Sequence, residues 1–297
     1  MSFARFLFLA GSLAAALAAR PALAQTPVAP LRGQVTDAAT GRPVAYASVG
    51  VLHRPVGTVA DGQGRFVLAV PAAYDADSLR ISLVGYQAYT AAVGQVRHRT
   101  CPPETTCAVP LTPNTALAEV VVRPQGRAVR RVLGNSSNSK RAILSFVSKD
   151  LGNQLGQGMH IKHPTMLEDV SFHVAMCTYD SVFYRVNVYR LGPDGLPDEQ
   201  RNMLPEAVYV RLTKTQIADR IRVDLSRYSL WLRPGDNIAV CLELVRDLGP
   251  GLLSLSAKVL GGPFLFKDKG YKGHKVGWQK VGAVGAGIDA TVTEIRP

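Results

Sequence analysis

The stretch Gly33–Val51, GQVTDAATGRPVAYASVGV, decides how the N-terminal part of the chain is read. It is too regular for a loop and too punctuated for a helix. Tyr46, Ser48 and Gly50 alternate with Ala47, Val49 and Val51, the period of a strand with two different faces. Ahead of them, Asp37 and Thr40 can each accept a nearby backbone N–H, Gly41 supplies the positive φ of a tight turn, and Pro43 suits a strand edge. The run therefore reads as strand, turn, strand. Its competitor is Ca²⁺ ligation by Asp37, Thr40, Asp61 and Gln63, but these turns offer one acid each and no bidentate Glu.

Outward from this stretch the same grammar repeats. Asp61-Gly62-Gln63-Gly64 predicts a hairpin turn leading into an alternating strand, and DSLRISLVGYQAYTAAV and ALAEVVV supply two more strands. Short strands at this spacing predict a small β-sandwich. The combination G-x-V-x-D-x-x-T-G-x-P-V-x-Y-A-x-V, G-T-V-A-D-x-x-G-x-F, S-L-V-G-Y and L-A-E-V-V-V, from Leu31 to Arg123, resembles the carboxypeptidase-like regulatory domain. That resemblance implies a transthyretin-like or Ig-like sandwich of bacterial envelope proteins, also found at the N-terminus of TonB-energised transporters. Too few residues follow for a transporter's plug and barrel. The domain is the non-catalytic companion of carboxypeptidases, and no H-x-x-E or H-E-x-x-H zinc motif occurs at His53, His98, His160, His163, His173 or His274.

Residues 1–24 carry Arg5, an apolar Leu/Ala run and an Ala22-Leu23-Ala24 cleavage signature, so they read as a secretory signal peptide. The apolar run is too short to span a bilayer, and no later stretch predicts a transmembrane segment. The expected location is periplasmic, outer-membrane-associated or secreted. The chain carries 34 Lys and Arg against 22 Asp and Glu, a formal net charge of +12. Export argues against nucleic acid as the partner and leaves an envelope protein or an acidic glycan. Export also permits disulfides among Cys101, Cys107, Cys177 and Cys241: the first two most economically close a short loop, and the last two lie on strands that could be bridged. Their wide spacing disfavours a metal site, and no cofactor is expected.

The remaining organisation reads as domain 25–124, a basic linker 125–157, and a second domain 158–297. The linker holds Arg127, Arg130, Arg131, Lys140, Arg141 and Lys149 against Asp150, and Ile143, Leu144, Val147 and Leu151 predict a short helix in it. Beyond it, alternating runs predict a jelly-roll-like sandwich, so the whole chain is all-β. In SVFYRVNVY, Val182, Tyr184, Val186 and Val188 share one face, and Phe183, Arg185, Asn187 and Tyr189 the other; LGPDGLPDEQ then turns the chain. This half is similar to the C-terminal domain of exported proteins that pair it with the regulatory-type domain, a resemblance that implies architecture and no activity.

Candidate chemistry is sparse. His160 and His163 fall on opposite faces of a strand, and no nucleophile elbow, P-loop or C-x-x-C pair occurs. Spacing does not mark Glu168, Asp169 or Asp224 as a glycosidase pair. The stretch Pro263–Gly287 is the most suggestive: Lys267, Lys269, Lys272, Lys275 and Lys280 interleave with Phe266, Tyr271, His274 and Trp278. Aromatic planes stack on sugar rings and lysines attract carboxylates, so an exposed loop of this kind would grip an acidic glycan; the competing reading is a basic hairpin with Trp278 folded inward. The expectation is a non-catalytic binding or scaffolding module. The alternative from another class is a hydrolase whose carboxylates meet only in the fold.

Overall fold

In a computed structural model, residues 30–98, 107–114, 125–147, 151–217, 219–246, 248–268 and 276–297 are described. The fold is all-β. The N-terminal strands are β1 (Leu31–Asp37), β2 (Ser48–Val51), β3 (Gly57–Val59), β4 (Arg65–Leu68), β5 (Ser78–Ser82), β6 (Tyr89–Ala92) and β7 (Ala108–Leu111), with helix α1 (Val93–Arg97) before β7. They form two sheets, β4-β1-β7 and β3-β2-β5-β6, in which only β1 and β7 run parallel. Val35, Ala47, Val49, Phe66, Leu79 and Ile81 fill the space between them. The expected strand at ALAEVVV lies outside the described residues.

The opening turn is built as its residues require. Asp37 Oδ1 accepts the N–H groups of Ala39 and Thr40, both at 2.8 Å, and Gly41 has φ +69°. At the second turn Asp61 Oδ1 accepts from Gln63 and Arg65, each at 2.8 Å. Gly64 there has φ +71°, and a Cβ would stand 2.5 Å from the Val35 carbonyl oxygen. This turn is not a hairpin as expected. It carries the chain from one sheet to the other: β4 buries Phe66 and Leu68 in the N-terminal core, whereas Val59 of β3 packs against Phe183 and Val245 of the second sandwich.

The C-terminal strands are β8 (Arg127–Gly134), β9 (Ile143–Val147), β10 (Gln154–His160), β11 (Thr165–Cys177), β12 (Ser181–Leu191), β13 (Pro197–Asn202), β14 (Val208–Thr213) and β15 (Arg220–Asp224). They continue with β16 (Leu230–Leu232), β17 (Asn237–Leu244), β18 (Leu252–Val259), β19 (Phe264–Asp268), β20 (Gly277–Val281), β21 (Val284–Ala286) and β22 (Ile288–Arg296). One sheet runs β13-β12-β17-β10-β19-β20, with β14 also on β12. The other runs β21-β18-β11-β22-β8, with β15 and β16 also on β11 and β9 on β18. Phe172 and Ile288 from one sheet meet Tyr184, Val186 and Val240 from the other.

The 125–157 segment is not a linker, and its expected helix is absent from the described part. β8 pairs along the whole of β22, from Asp289↔Gly134 to Arg296↔Arg127, and β9 closes the open side of β18. Leu144 turns inward and Phe146 is buried, whereas Ile143 and Ser145 face out, so period two prevails over the helical spacing. The physical reason is that β18 would otherwise leave its ladder groups unpaired on that side. Arg127, Arg130 and Arg131 lie on β8, Lys140 and Arg141 fall in the connection to β9, and Lys149 lies outside the described residues. Arg130 pairs with Glu168 at 2.9 Å, Lys140 with Asp219 at 2.8 Å, and arginines along β8 guard an edge against further strand addition.

The cysteines also divide differently from expectation. Cys107 is disulfide-bonded, and Cys101, the partner its spacing favours, lies outside the described residues. Cys177 and Cys241 are free. They cannot bridge, because β11 and β17 belong to opposite sheets and Cys241 points away from the shared core, packing with Tyr189, Ala239 and Leu265. Burial raises both thiol pKa values, that of Cys241 strongly. Among the described residues, no helix is long and apolar enough to cross a membrane.

Candidate functional site

The site arises where the two sandwiches meet. On β12, Val182, Tyr184, Val186 and Val188 enter the C-terminal core, and alternation sends Phe183, Arg185, Asn187 and Tyr189 to the opposite face. That second face is buried as well, by the N-terminal domain and by β19 and β20. Tyr46 lies edge-on to Phe183 and Tyr209, at centroid distances of 4.7 and 5.5 Å. Ser48, two residues further along, reaches the charged centre.

Arg185 and Glu243 form that centre, at 3% and 2% exposure. Arg185 Nε donates to Glu243 Oε2 at 3.1 Å and Nη2 to Oε1 at 2.8 Å, a bidentate pair. The remaining guanidinium positions cross to the other domain, Nη1 to the Tyr46 carbonyl at 2.9 Å and Nη2 to Ser48 Oγ at 2.7 Å. Glu243 also accepts from Ser48 Oγ at 2.9 Å and Asn187 Nδ2 at 2.8 Å, so each carboxylate oxygen has two donors. Asn187 continues the network to Gln154 at 3.1 Å and accepts from Asn202 at 3.0 Å. Burial works against the Arg185 charge, but attraction to Glu243, reinforced by Tyr209, outweighs it and holds the pKa above the ordinary arginine value.

Beside this network a cleft of about 530 Å³ opens between the domains. Gln154, Asn187, Tyr189 and Asn202 line its floor, and residues 82–88 with Asn114 roof it from the N-terminal side. A narrower lobe of about 230 Å³ continues along β2 and β3 to Trp278 and Val276. Glu199 borders both lobes. It is ion-paired with Lys267, lies 3.7 Å from Arg80 Nη1 of the other domain, and accepts from Trp278 Nε1 at 2.9 Å. Burial would raise its pKa, but Lys267, Arg80 and the Trp278 hydrogen bond together hold it below the usual glutamate value.

Of the residues that sequence singled out, Lys267 and Trp278 are cross-strand partners on β19 and β20, and both line the narrow lobe. Trp278 is half-buried against Tyr189, with ring centroids 5.9 Å apart, and Lys280 is exposed. Lys269, Tyr271, Lys272, His274 and Lys275 lie outside the described residues. Reading LGPDGLPDEQ as a turn missed Glu199 and Gln200: only its first half turns, and β13 begins at Pro197. Polar residues at both alternations of PDEQRN give no periodic signal. Glu243 was missed because a single acid in an apolar strand carries no motif. The Arg185-Asn187 face was legible, but not that it would be covered.

Glu199 and Glu243 share one cleft, which is the raw arrangement of a glycosidase. Their surroundings differ from what that chemistry needs. A general acid requires a carboxyl kept protonated, whereas Glu199 is held ionised by two cations and Glu243 has four hydrogen bonds to its oxygens. Glu168, Asp169 and Asp224 lie on the opposite sheet: Glu168 and Asp169 pair with Arg130 and Arg222, and Asp224 accepts from the Ser226 N–H at 2.9 Å. His160 bonds Asn237 at 2.9 Å.

Fold and site together describe two packed β-sandwiches with a polar cleft at their junction, the N-terminal one of regulatory type. Residues 31–122 match the CarboxypepD_reg-like domain family. Among curated proteins no sequence matches this chain. Solved structures with partial similarity include the carbohydrate-binding modules from the β-sandwich superfamily, at 9% identity and TM-score 0.20, covering 78% of this chain and 97% of that one. Another is the VP2 subviral particle of infectious bursal disease virus, at 12% identity and TM-score 0.26, covering 90% and 64%. Overlaps of this size carry no weight for function.

Proposed function

We propose that this chain is an exported, non-catalytic binding protein of the bacterial envelope, and that its ligand site is the cleft between the sandwiches. The observation that carries the reading is convergence: side chains from both domains meet on one polar cavity, beside a fully hydrogen-bonded charge pair that locks the domains together. Cavities of about 300–1,000 Å³ at domain junctions are the usual places for small ligands. The leader-like N-terminus and the regulatory-type domain support export. Ala88 is exposed on the cleft rim, and Ala88→Trp fills the opening without touching the buried network. Wild-type protein is expected to retain a component of envelope extracts that Ala88→Trp loses; equal retention by both removes the cleft from the proposal.

A hydrolase is the second reading, favoured by the two carboxylates in one cleft. Turnover of a peptide or glycoside, abolished by Glu199→Gln or Glu243→Gln in folded protein, would establish it. Acidic-glycan binding through the Lys267–Lys280 region is weaker support for the same module, because Lys267 is already neutralised by Glu199. Loss of retention on an acidic polysaccharide by Trp278→Ala would restore it.

A further inference from the structure

We propose that the cleft takes an uncharged saccharide, an inference that rests on the cleft being the binding site. Most of its fixed charge is paired internally, with Arg80, Arg185 and Lys267 set against Glu199 and Glu243. Arg185 is committed to Glu243, the Tyr46 carbonyl and Ser48, while Lys267 and Arg80 both face Glu199. Lys267 by itself neutralises Glu199, so Arg80, 3.7 Å from that carboxylate, is the one cation among the described lining residues that an acidic group could still reach. An apolar ligand would meet amides and ion pairs across the floor and leave them without partners.

Most of what the lining offers a ligand is neutral. Gln87, Asn114, Gln154 and Gln200 present primary amides, and Ser82 a hydroxyl, around the wide lobe. A primary amide holds two donors and an acceptor in one plane, which complements neighbouring sugar hydroxyls that each donate and accept. Tyr189 in the wide lobe and Trp278 in the narrow one add aromatic surface along the same path, suited to the C–H face of a pyranose ring. An anion site would show several uncommitted cations and converging backbone N–H groups, where this cleft sets one surplus cation among four amides.

The test is calorimetric titration of the full mature chain with neutral oligosaccharides and with uronic-acid or sulfated ones, from about 0.05 to 0.5 M salt. Gln87, Asn114 and Gln200 are exposed at the rim, so Gln87→Ala, Asn114→Ala and Gln200→Ala leave the buried network intact. The expected result is binding of a neutral saccharide, insensitive to salt and weakened about three- to tenfold by each rim substitution that removes a hydrogen bond. Salt-sensitive binding of acidic saccharides alone, weakened by the same variants, would overturn this inference and leave the cleft as the site. Neutral binding unmoved by all three variants and by Ala88→Trp would overturn both. No binding of either class, with extract retention still lost in Ala88→Trp, would overturn only the saccharide assignment.

Discussion

The two faces of β12 are equally buried and chemically opposite. Val182, Tyr184, Val186 and Val188 meet other apolar side chains across the sandwich, where close packing is the whole of the interaction. Phe183, Arg185, Asn187 and Tyr189, one residue out of phase, meet a second domain across a mixture of aromatic edges, a charge pair and amides. The inner face tolerates any well-shaped apolar set. The outer face is directional, since each charge and amide must find its partner, and that requirement sets how the two sandwiches are oriented. The cleft opens beside this network, between the outer face and residues 82–88 of the N-terminal sandwich.

The sharpest way to break this comparison is Arg185→Ala, which leaves Glu243 buried without its cation and is expected to cost about 3–5 kcal/mol in chemical denaturation. A loss under about 1 kcal/mol would mean that the outer face is solvated and the domains are not locked. Next comes Val186→Ala on the inner face, expected to cost about 2 kcal/mol with little effect on ligand retention. If it abolished retention while the fold persisted, the division of labour between the faces would be wrong.

Acid provides a gentler probe. The folded pKa of Glu199 lies below its ordinary value of 4.5, so the bridge to Lys267 and Arg80 contributes above that pH and is lost as pH falls through the lowered folded value. Melting temperature followed downward from pH 5 should therefore decline more steeply in wild type than in Glu199→Gln; identical curves would show that Glu199 is not engaged. Replacing the pair by Arg185→Met with Glu243→Leu should return stability to near wild type while disturbing cleft binding, separating specificity from stability. The smallest effect concerns the thiols. At neutral pH a thiol reagent should modify Cys177 slowly and Cys241 only after unfolding, and fast labelling of Cys241 would show that the outer face opens.

Much of this was legible because strand alternation is a local property. The opening stretch announced both its turn and its faces: Ala47, Val49 and Val51 are buried in the N-terminal core, while Tyr46 and Ser48 emerge on the other side. Asp37 closes the turn on its own backbone, and the same stretch supplies the residues that dock the second sandwich. The 125–157 segment was misread for a related reason. Arginines and serines resemble a tether when viewed alone, and only the partners β18 and β22, more than a hundred residues later, turn them into strands. Trp278 was noticed for its lysine neighbours, but its partners Glu199 and Tyr189 came from strands whose proximity no spacing encodes.

Sequence by itself determined the all-β class, the regulatory-type N-terminal sandwich and which side chains share a strand face, since turn residues and period two act over a few positions. Tertiary structure alone decided that a polar face would be covered, that Arg185, Glu243 and Ser48 would meet, and that a cleft would remain beside them. Those outcomes depend on packing between distant segments, where a charge is tolerated only once its particular partner has arrived.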